Sequence, residues 1–185
     1  MDLSAFAGDP IAVGTIIGAL ALVLFAAAWH KLSEPDVFAG SLAAYRLLPQ
    51  ALVTPLARTF PLLEVALAVG ILVPAIRTSA LFGVAALVLL YAAAMAINLL
   101  RGRHDIDCGC GGAAHPLSWG LVARNFVLAA AALVASRPTL ERSMNWIDAL
   151  TLVLGVLAFY ALYLMTDELL RQAGRMAQTK RSAQG

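Results

Sequence analysis

Long apolar runs separated by short polar connections organise this chain of 185 residues. A helix that crosses a bilayer needs about 20 mostly apolar residues, and five stretches approach that length: 11–29, 56–73, 79–100, 117–135 and 147–165. The pattern predicts five transmembrane helices. Pro10 suits a helix start, where its missing N–H is not needed, and Pro74 suits a helix end. Residues 136–142 and 171–185 are polar breaks, so the expected organisation is a single transmembrane helical domain over 1–170 with a polar C-terminal tail over 171–185. The segment before the first run carries two aspartates and no Lys or Arg, the wrong charge for a cleaved leader. The first helix is expected to be retained. No internal repeat or low-complexity tract is present.

Helices that cross in alternation gather particular connections on one membrane face. The end of the first run, the start of the second, the end of the third and the start of the fourth share a face. It receives Trp29, His30, Lys31, the whole 32–55 connection, Arg58 and the polar loop from Arg101 to Leu117. The opposite face receives only 73–78 and the 136–146 connection. A functional site belongs on the first face.

Composition supports the membrane assignment and removes other classes. Hydrophobic residues make up 61% of the chain and charged residues 13%, with a mean hydropathy of +0.83, whereas soluble domains are about one quarter charged. The bilayer is therefore the expected environment. A net charge of +2, with basic residues scattered or gathered near the C-terminus, does not suit nucleic acid.

Two charges fall inside the predicted spans, where an ionisable group costs about 2.5 kcal/mol or more and normally marks a partner or a pathway. They are Glu64 and Arg124. At a rise of about 1.5 Å per residue, Glu64 lies roughly 12 Å and Arg124 roughly 10 Å into the membrane from the polar-loop face. The two are expected to pair, either as a lock between helices or as part of a pocket beneath the loop. Asn125 and His30 are weaker candidates, since a His beside Trp at a helix end usually anchors the interface.

The only two cysteines, Cys108 and Cys110, are one residue apart in that loop. Residues two apart place their α-carbons about 5.5–7 Å from each other, which overlaps the span a disulfide tolerates. A Cys108–Cys110 disulfide fits, with strain, and a strained disulfide is more readily reduced. Gly109, Gly111 and Gly112 supply backbone freedom and room for another protein. Asp105 and Asp107 oppose formation of a thiolate, while Arg101, Arg103 and the start of the following helix favour it. Two other readings stand beside thiol exchange. One is a metal site for zinc or copper built from His104, Cys108, Cys110 and His115, although the Cys-x-Cys bite is tighter than usual zinc spacing. The other is simple packing of apolar thiols between helices, which the polar, glycine-rich setting disfavours.

In order along the chain, Trp29, Lys31, Glu34 and Phe38, then Tyr45, Arg46 and Pro49, then Pro61, Glu64 and Gly70, and finally the run Ile106, Asp107, Cys108, Gly109, Cys110 and Gly111 resemble the MauE family of the wider MauE/DoxX group of redox-associated membrane proteins. The resemblance covers about residues 20 to 130. It implies an all-α integral membrane fold in which the first four of five transmembrane helices form a bundle similar in layout to vitamin K epoxide reductase. It also implies a role in maturation. Such proteins act with a membrane-tethered thioredoxin-like partner, MauD, to produce the disulfide-rich small subunit of periplasmic methylamine dehydrogenase. Cys108 and Cys110 are then the reactive residues, supported by Glu64, Arg124, Asp107, Gly109, Trp29 and Lys31. The epoxide reductase layout brings a quinone in as a candidate cofactor. That enzyme type carries a second, shuttle cysteine pair, which this chain lacks, so any shuttle would come from the partner.

Orientation sets two expectations against each other. The cysteine face carries nine of the basic residues, namely Lys31, Arg46, Arg58, Arg101, Arg103, Arg171, Arg175, Lys180 and Arg181, against Arg77, Arg137 and Arg142 on the other. Counting loop cations alone would place the cysteines in the cytoplasm. Disulfide chemistry and the implied client place them in the periplasm, and the expectation adopted is a multi-pass protein of the bacterial inner membrane with a periplasmic cysteine loop. It exchanges disulfides with a thioredoxin-like partner, the alternative being a non-enzymatic metal-binding or structural subunit that anchors that partner.

Overall fold

The computed structural model describes residues 8–109, 115–139 and 143–182. Six helices account for most of them: α1 (Pro10–Ser33), α2 (Pro35–Ala44), α3 (Gln50–Leu72), α4 (Arg77–Leu100), α5 (Trp119–Ala135) and α6 (Trp146–Ser182). Among the described residues the extended pairing is limited to an isolated antiparallel bridge between Asp107 and Pro116. Helices α1, α3, α4 and α6 are long and apolar enough to cross a membrane, and α5, with 17 residues, is apolar but shorter. The protein is a multi-pass helical membrane protein with four to five candidate spans.

Local chemistry explains the helix starts. Asp9 caps α1, its Oδ1 accepting from the Ile11 N–H at 2.8 Å, with Pro10 as the first helical residue. Asn145 and Asp148 form a reciprocal cap at α6: Asn145 Oδ1 accepts from the Ile147 and Asp148 N–H groups, and Asp148 Oδ2 accepts from the Asn145 N–H. Each cap satisfies donors that no earlier turn can reach.

Three boundaries differ from the pattern-based expectation. The second span begins at Gln50 rather than Leu56, because Pro55 and Pro61 lie within α3; the surrounding helices of a membrane bundle tolerate the carbonyls a proline leaves free. The 32–55 connection contains a ten-residue helix, α2, too short to show as an apolar run. The last helix does not stop at Met165 but runs through the polar tail to Ser182. Thr166 to Arg175 is rich in helix-forming Leu, Glu, Gln and Arg, and Glu168 pairs with both Arg171 and Gln172 across one turn.

Four helices share a core. Val13, Ile17, Leu20 and Leu24 of α1, Ala68 and Ile71 of α3, Leu81, Val84 and Val88 of α4, and Ala129, Ala132 and Ala135 of α5 pack together in the half of the bundle remote from the cysteine loop. Nearer the loop, Met95 and Leu99 of α4 join Leu121 and Val122 of α5 with Tyr45, Ile106 and Leu117. Helix α6 lies outside this bundle, parallel to α1. Gly14 faces Leu152, Gly18 faces Val156 and Gly155 faces Thr15, a close approach of backbones that only small residues permit in lipid. Between α1, α5 and α6 remains an apolar groove of about 540 Å³.

A Cβ at Gly18 would lie 2.5 Å from Val156 Cγ2. Gly18→Leu should therefore prise α6 from α1 at a cost of about 1–3 kcal/mol, seen as faster amide hydrogen exchange along α6 in nanodiscs. Gly40→Ala, where no atom lies within 4 Å, should leave that exchange unchanged.

Candidate functional site

The polar groups of the cysteine face are bound into two separate clusters, one on each side of the loop. In the first, Lys31 at the end of α1 donates to Glu64 Oε1 in the middle of α3. The two are 4% and 1% exposed, so neither charge is solvated. Tyr91 of α4 donates to the same Glu64 oxygen at 2.9 Å. The Lys31 ammonium lies 4.8 Å from the centre of the Tyr91 ring and 5.1 Å from that of Phe38, which adds cation–π attraction in a dry setting. Three spans and α2 are thereby joined at one point.

The second cluster joins α5 to α6. Arg124 donates to Asp167 Oδ1 and lies over the Tyr163 ring at 5.5 Å. His115, 3% exposed, turns Nδ1 toward the same Asp167 oxygen at 3.9 Å. Burial, the largest influence, lowers the pKa of the His115 imidazole; Asp167 opposes this, Arg124 reinforces it, and Asp107 and Arg171 add smaller pulls in opposite directions. Its neutral form is favoured at pH 7.

These contacts correct the expected pairing. Glu64 and Arg124 do not pair with each other: Glu64 is neutralised by Lys31 and Arg124 by Asp167. The reason is that α3 packs on α1, which brings Lys31 to Glu64, while α6 continues past Met165 as a helix and delivers Asp167 to Arg124. Trp29, expected to support the site, is 72% exposed and turned outward, as is His30. Asn125 is buried but donates within its own helix to the Leu121 carbonyl at 2.8 Å.

Between the clusters the cysteine loop is clamped. Arg103 donates to the Ala44 and Tyr45 carbonyls at 2.7 and 3.1 Å and to Asn98 Oδ1 at 2.9 Å, tying the C-terminal end of α2 to that of α4. It acts on backbone carbonyls rather than on a thiol. The Tyr45 hydroxyl donates to the Cys108 carbonyl at 3.0 Å. Asp107 Oδ1 accepts from the Gly109 N–H and Oδ2 from the His115 N–H, both at 2.8 Å. The strands pair through Cys108 N–H to the His115 carbonyl at 2.9 Å and Leu117 N–H to the Ile106 carbonyl at 3.1 Å. Gly109 has φ +68°, and a Cβ there would press on Phe38 and Ser41 at 3.3–3.4 Å. Glycine is required twice over at this position.

Cys108 and Gly109 also close one end of an apolar cavity of about 210 Å³, whose other walls include Lys31, Phe38, Tyr45, Phe60, Tyr91 and Met95. A pocket therefore does lie beneath the loop, with the Lys31–Glu64 pair at its side rather than Glu64 with Arg124. Cys110 lies outside the described residues, and with it the Cys108–Cys110 disulfide. Among the described residues no three His, Cys, Asp or Glu side chains converge as metal ligands; His104 is half-buried and His115 is held against Asp167. Tyr91 and Asp167 were not singled out from sequence, Tyr45 entered only through the family resemblance, and Arg103 was expected to favour a thiolate rather than to bind carbonyls. A visible signal existed for Asp167 alone, an acidic residue just beyond the last apolar run.

Fold and loop define a multi-pass helical membrane protein that presents a clamped cysteine loop over an apolar pocket at one end of its bundle. A family model described as methylamine utilisation protein MauE matches residues 9–137. The chain is 47% identical over 116 residues to the methylamine utilization protein MauE of Paracoccus denitrificans, covering 62% of each protein. It is 39% identical over 154 residues to that of Methylophilus methylotrophus, covering 80% of each, and 39% identical over 132 residues to that of Methylorubrum extorquens, covering 70% of this chain and 71% of the relative. The chain belongs to the MauE family. No solved structure matches it.

Removing one member of the Lys31–Glu64 pair strands the other charge in an apolar interior. Lys31→Met and Glu64→Leu should each cost about 3–5 kcal/mol, measured by denaturant unfolding in mixed micelles. The double substitution should cost clearly less than the sum of the two, because it leaves no buried charge.

Proposed function

We propose that this protein serves methylamine utilisation as a membrane thiol–disulfide exchange protein of the bacterial inner membrane. It works with a membrane-tethered thioredoxin-like partner, MauD-like, in maturing a disulfide-rich periplasmic client such as the small subunit of methylamine dehydrogenase. The observation that carries this reading is the loop itself: Asp107, Tyr45 and Gly109 hold Cys108 in a fixed backbone turn at one end of the bundle. A thiol merely filling space would not need that arrangement. Family membership supports the process, and the Cys-x-Cys spacing supports the chemistry.

In the exchange, a thiolate of the pair attacks a disulfide of the partner. A mixed disulfide forms, the partner's second sulfur leaves as a thiolate, and that thiolate takes up the proton the attacking thiol gave away. The second cysteine of the pair then resolves the mixed disulfide, leaving the pair oxidised and the partner reduced; the reverse sequence oxidises the partner. Electrons are conserved in both directions.

The cavity beneath Cys108 fits a quinone ring in character, being apolar and lined by Phe38, Tyr45, Phe60 and Tyr91. A bound quinone would supply a two-electron acceptor there, and these aromatic side chains would hold it. The periplasmic orientation of the loop is part of the proposal. Lys31 is buried against Glu64, so one of the nine cations on this face is an interior residue rather than a loop charge facing the aqueous phase, and half-buried Arg103 is bound to carbonyls. The charge argument for a cytoplasmic loop is weakened accordingly.

Two outcomes are expected. In cells carrying Cys108→Ser or Cys110→Ser, one variant should accumulate a mixed disulfide with a thioredoxin-like protein, visible on non-reducing gels and removed by dithiothreitol; full alkylation of both cysteines without reductant, together with stoichiometric zinc, would instead favour the metal-binding alternative. A membrane-impermeant maleimide added to intact spheroplasts should label the reduced cysteines. Labelling seen only after permeabilisation would place the loop in the cytoplasm and overturn periplasmic maturation.

A further inference from the structure

The backbone bridge beside the cysteine loop has a consequence for proton transfer. Asp107 and Pro116 form the bridge, and the Cys108 N–H to His115 carbonyl bond closes the next step of the ladder. Cys108 and His115 are therefore directly opposed. Directly opposed residues of an antiparallel pair carry their Cβ atoms on the same face about 5 Å apart, and Ile106 and Leu117, the next residues on that face, are both buried in the core cluster that Cys108 packs against.

His115 is itself unusual. It is 3% exposed, and its Nε2 is buried without a hydrogen-bond partner among the described residues. Its Nδ1 faces the Asp167 carboxylate, which Arg124 holds in place. A carboxylate on that side favours the tautomer with the proton on Nδ1, leaving the lone pair on Nε2. A buried, unsolvated lone pair is costly to leave unused, and the side chain directly across the ladder is a thiol.

The geometry points to His115 as the acid–base group of Cys108, with Asp167 as the residue that positions it. This inference rests on the thiol–disulfide reading and adds the proton path to it. As Cys108 attacks the partner disulfide, His115 Nε2 takes the thiol proton; the sulfur–sulfur bond of the partner breaks, a bond from Cys108 to one partner sulfur forms, and the imidazolium returns the proton to the departing partner thiolate. Atoms and electrons balance without a further reagent. Burial keeps the imidazole below its ordinary value and so neutral before the attack, and the groups that act on it are Asp107 from the loop, Arg124 from α5, and Asp167 and Arg171 from α6.

The test uses the full-length protein in nanodiscs with Cys110→Ser, so that Cys108 is the single thiol. Its alkylation rate by iodoacetamide is followed from pH 5 to pH 10 with His115 present and with His115→Gln. Loss of the base should move the thiol profile up by about one pH unit and slow alkylation at pH 7 about tenfold. An unchanged profile in a variant with the parent's helicity would overturn the proposal. A second measurement leaves His115 intact: its imidazole Cε1–H signal, identified against His30→Gln and His104→Gln, is titrated with Cys108 and with Cys108→Ala. A thiol that donates to Nε2 stabilises the neutral imidazole, so its removal should move the His115 titration up, and no shift would overturn the proposal even if His115→Gln does not fold. Failure of the underlying reading looks different. Thiol and imidazole would then remain coupled while no mixed disulfide forms, whereas failure of the relay leaves the mixed disulfide and removes the coupling.

Discussion

An ammonium and a carboxylate cannot be left singly in an apolar membrane interior, and the meeting of Lys31 with Glu64 is the contact on which the cysteine end of this protein depends. Each charge is nearly inaccessible to solvent, so each is tolerated only because the other is present. Lys31 ends α1, Glu64 lies in the body of α3, and Tyr91 brings α4 to the same oxygen. The pair therefore fixes how three spans converge. Phe38 of α2 then closes over the ammonium, and the apolar cavity below Cys108 is the space left between those elements.

The loop depends on this arrangement in turn. Arg103 can reach the carbonyls of Ala44 and Tyr45 only because α2 lies across the end of the bundle, and Tyr45 then holds the Cys108 carbonyl. Asp107 spends both carboxylate oxygens on loop N–H groups. In the proposed exchange, a clamped backbone would reduce the entropy cost of presenting Cys108 to a partner disulfide.

Helix α6 has two roles that its composition conceals. Along its apolar half it lies parallel to α1 through Gly14, Gly18 and Gly155, the close packing that drives helix association where lipid removes the hydrophobic difference. Beyond Met165 it continues as a polar helix and places Asp167 beneath His115 and against Arg124. Pro116 of the loop lies beside the same helix near Gly174. The second charged cluster thus stands opposite the first across the cysteine loop.

Hydropathy by itself determined that this is a helical membrane protein, roughly where its spans lie, which loop carries the cysteines, and which elements share its face. Those properties follow from transfer of apolar side chains to lipid, a sum over consecutive residues that a linear pattern records. Glu64 and Arg124 were legible as charges inside apolar runs for the same reason, and the Asp107, Cys108 and Gly109 run was legible as a polar break between two of them. Their partners were not. Which carboxylate neutralises Arg124, whether Trp29 faces inward, and that His115 stands across from Cys108 depend on helix rotation and on contacts between residues far apart in the chain, such as Lys31 with Glu64 and Arg124 with Asp167. Only tertiary packing decides these, because a buried charge takes whichever opposite charge the fold brings within reach, and nothing in the spacing along the chain encodes that distance.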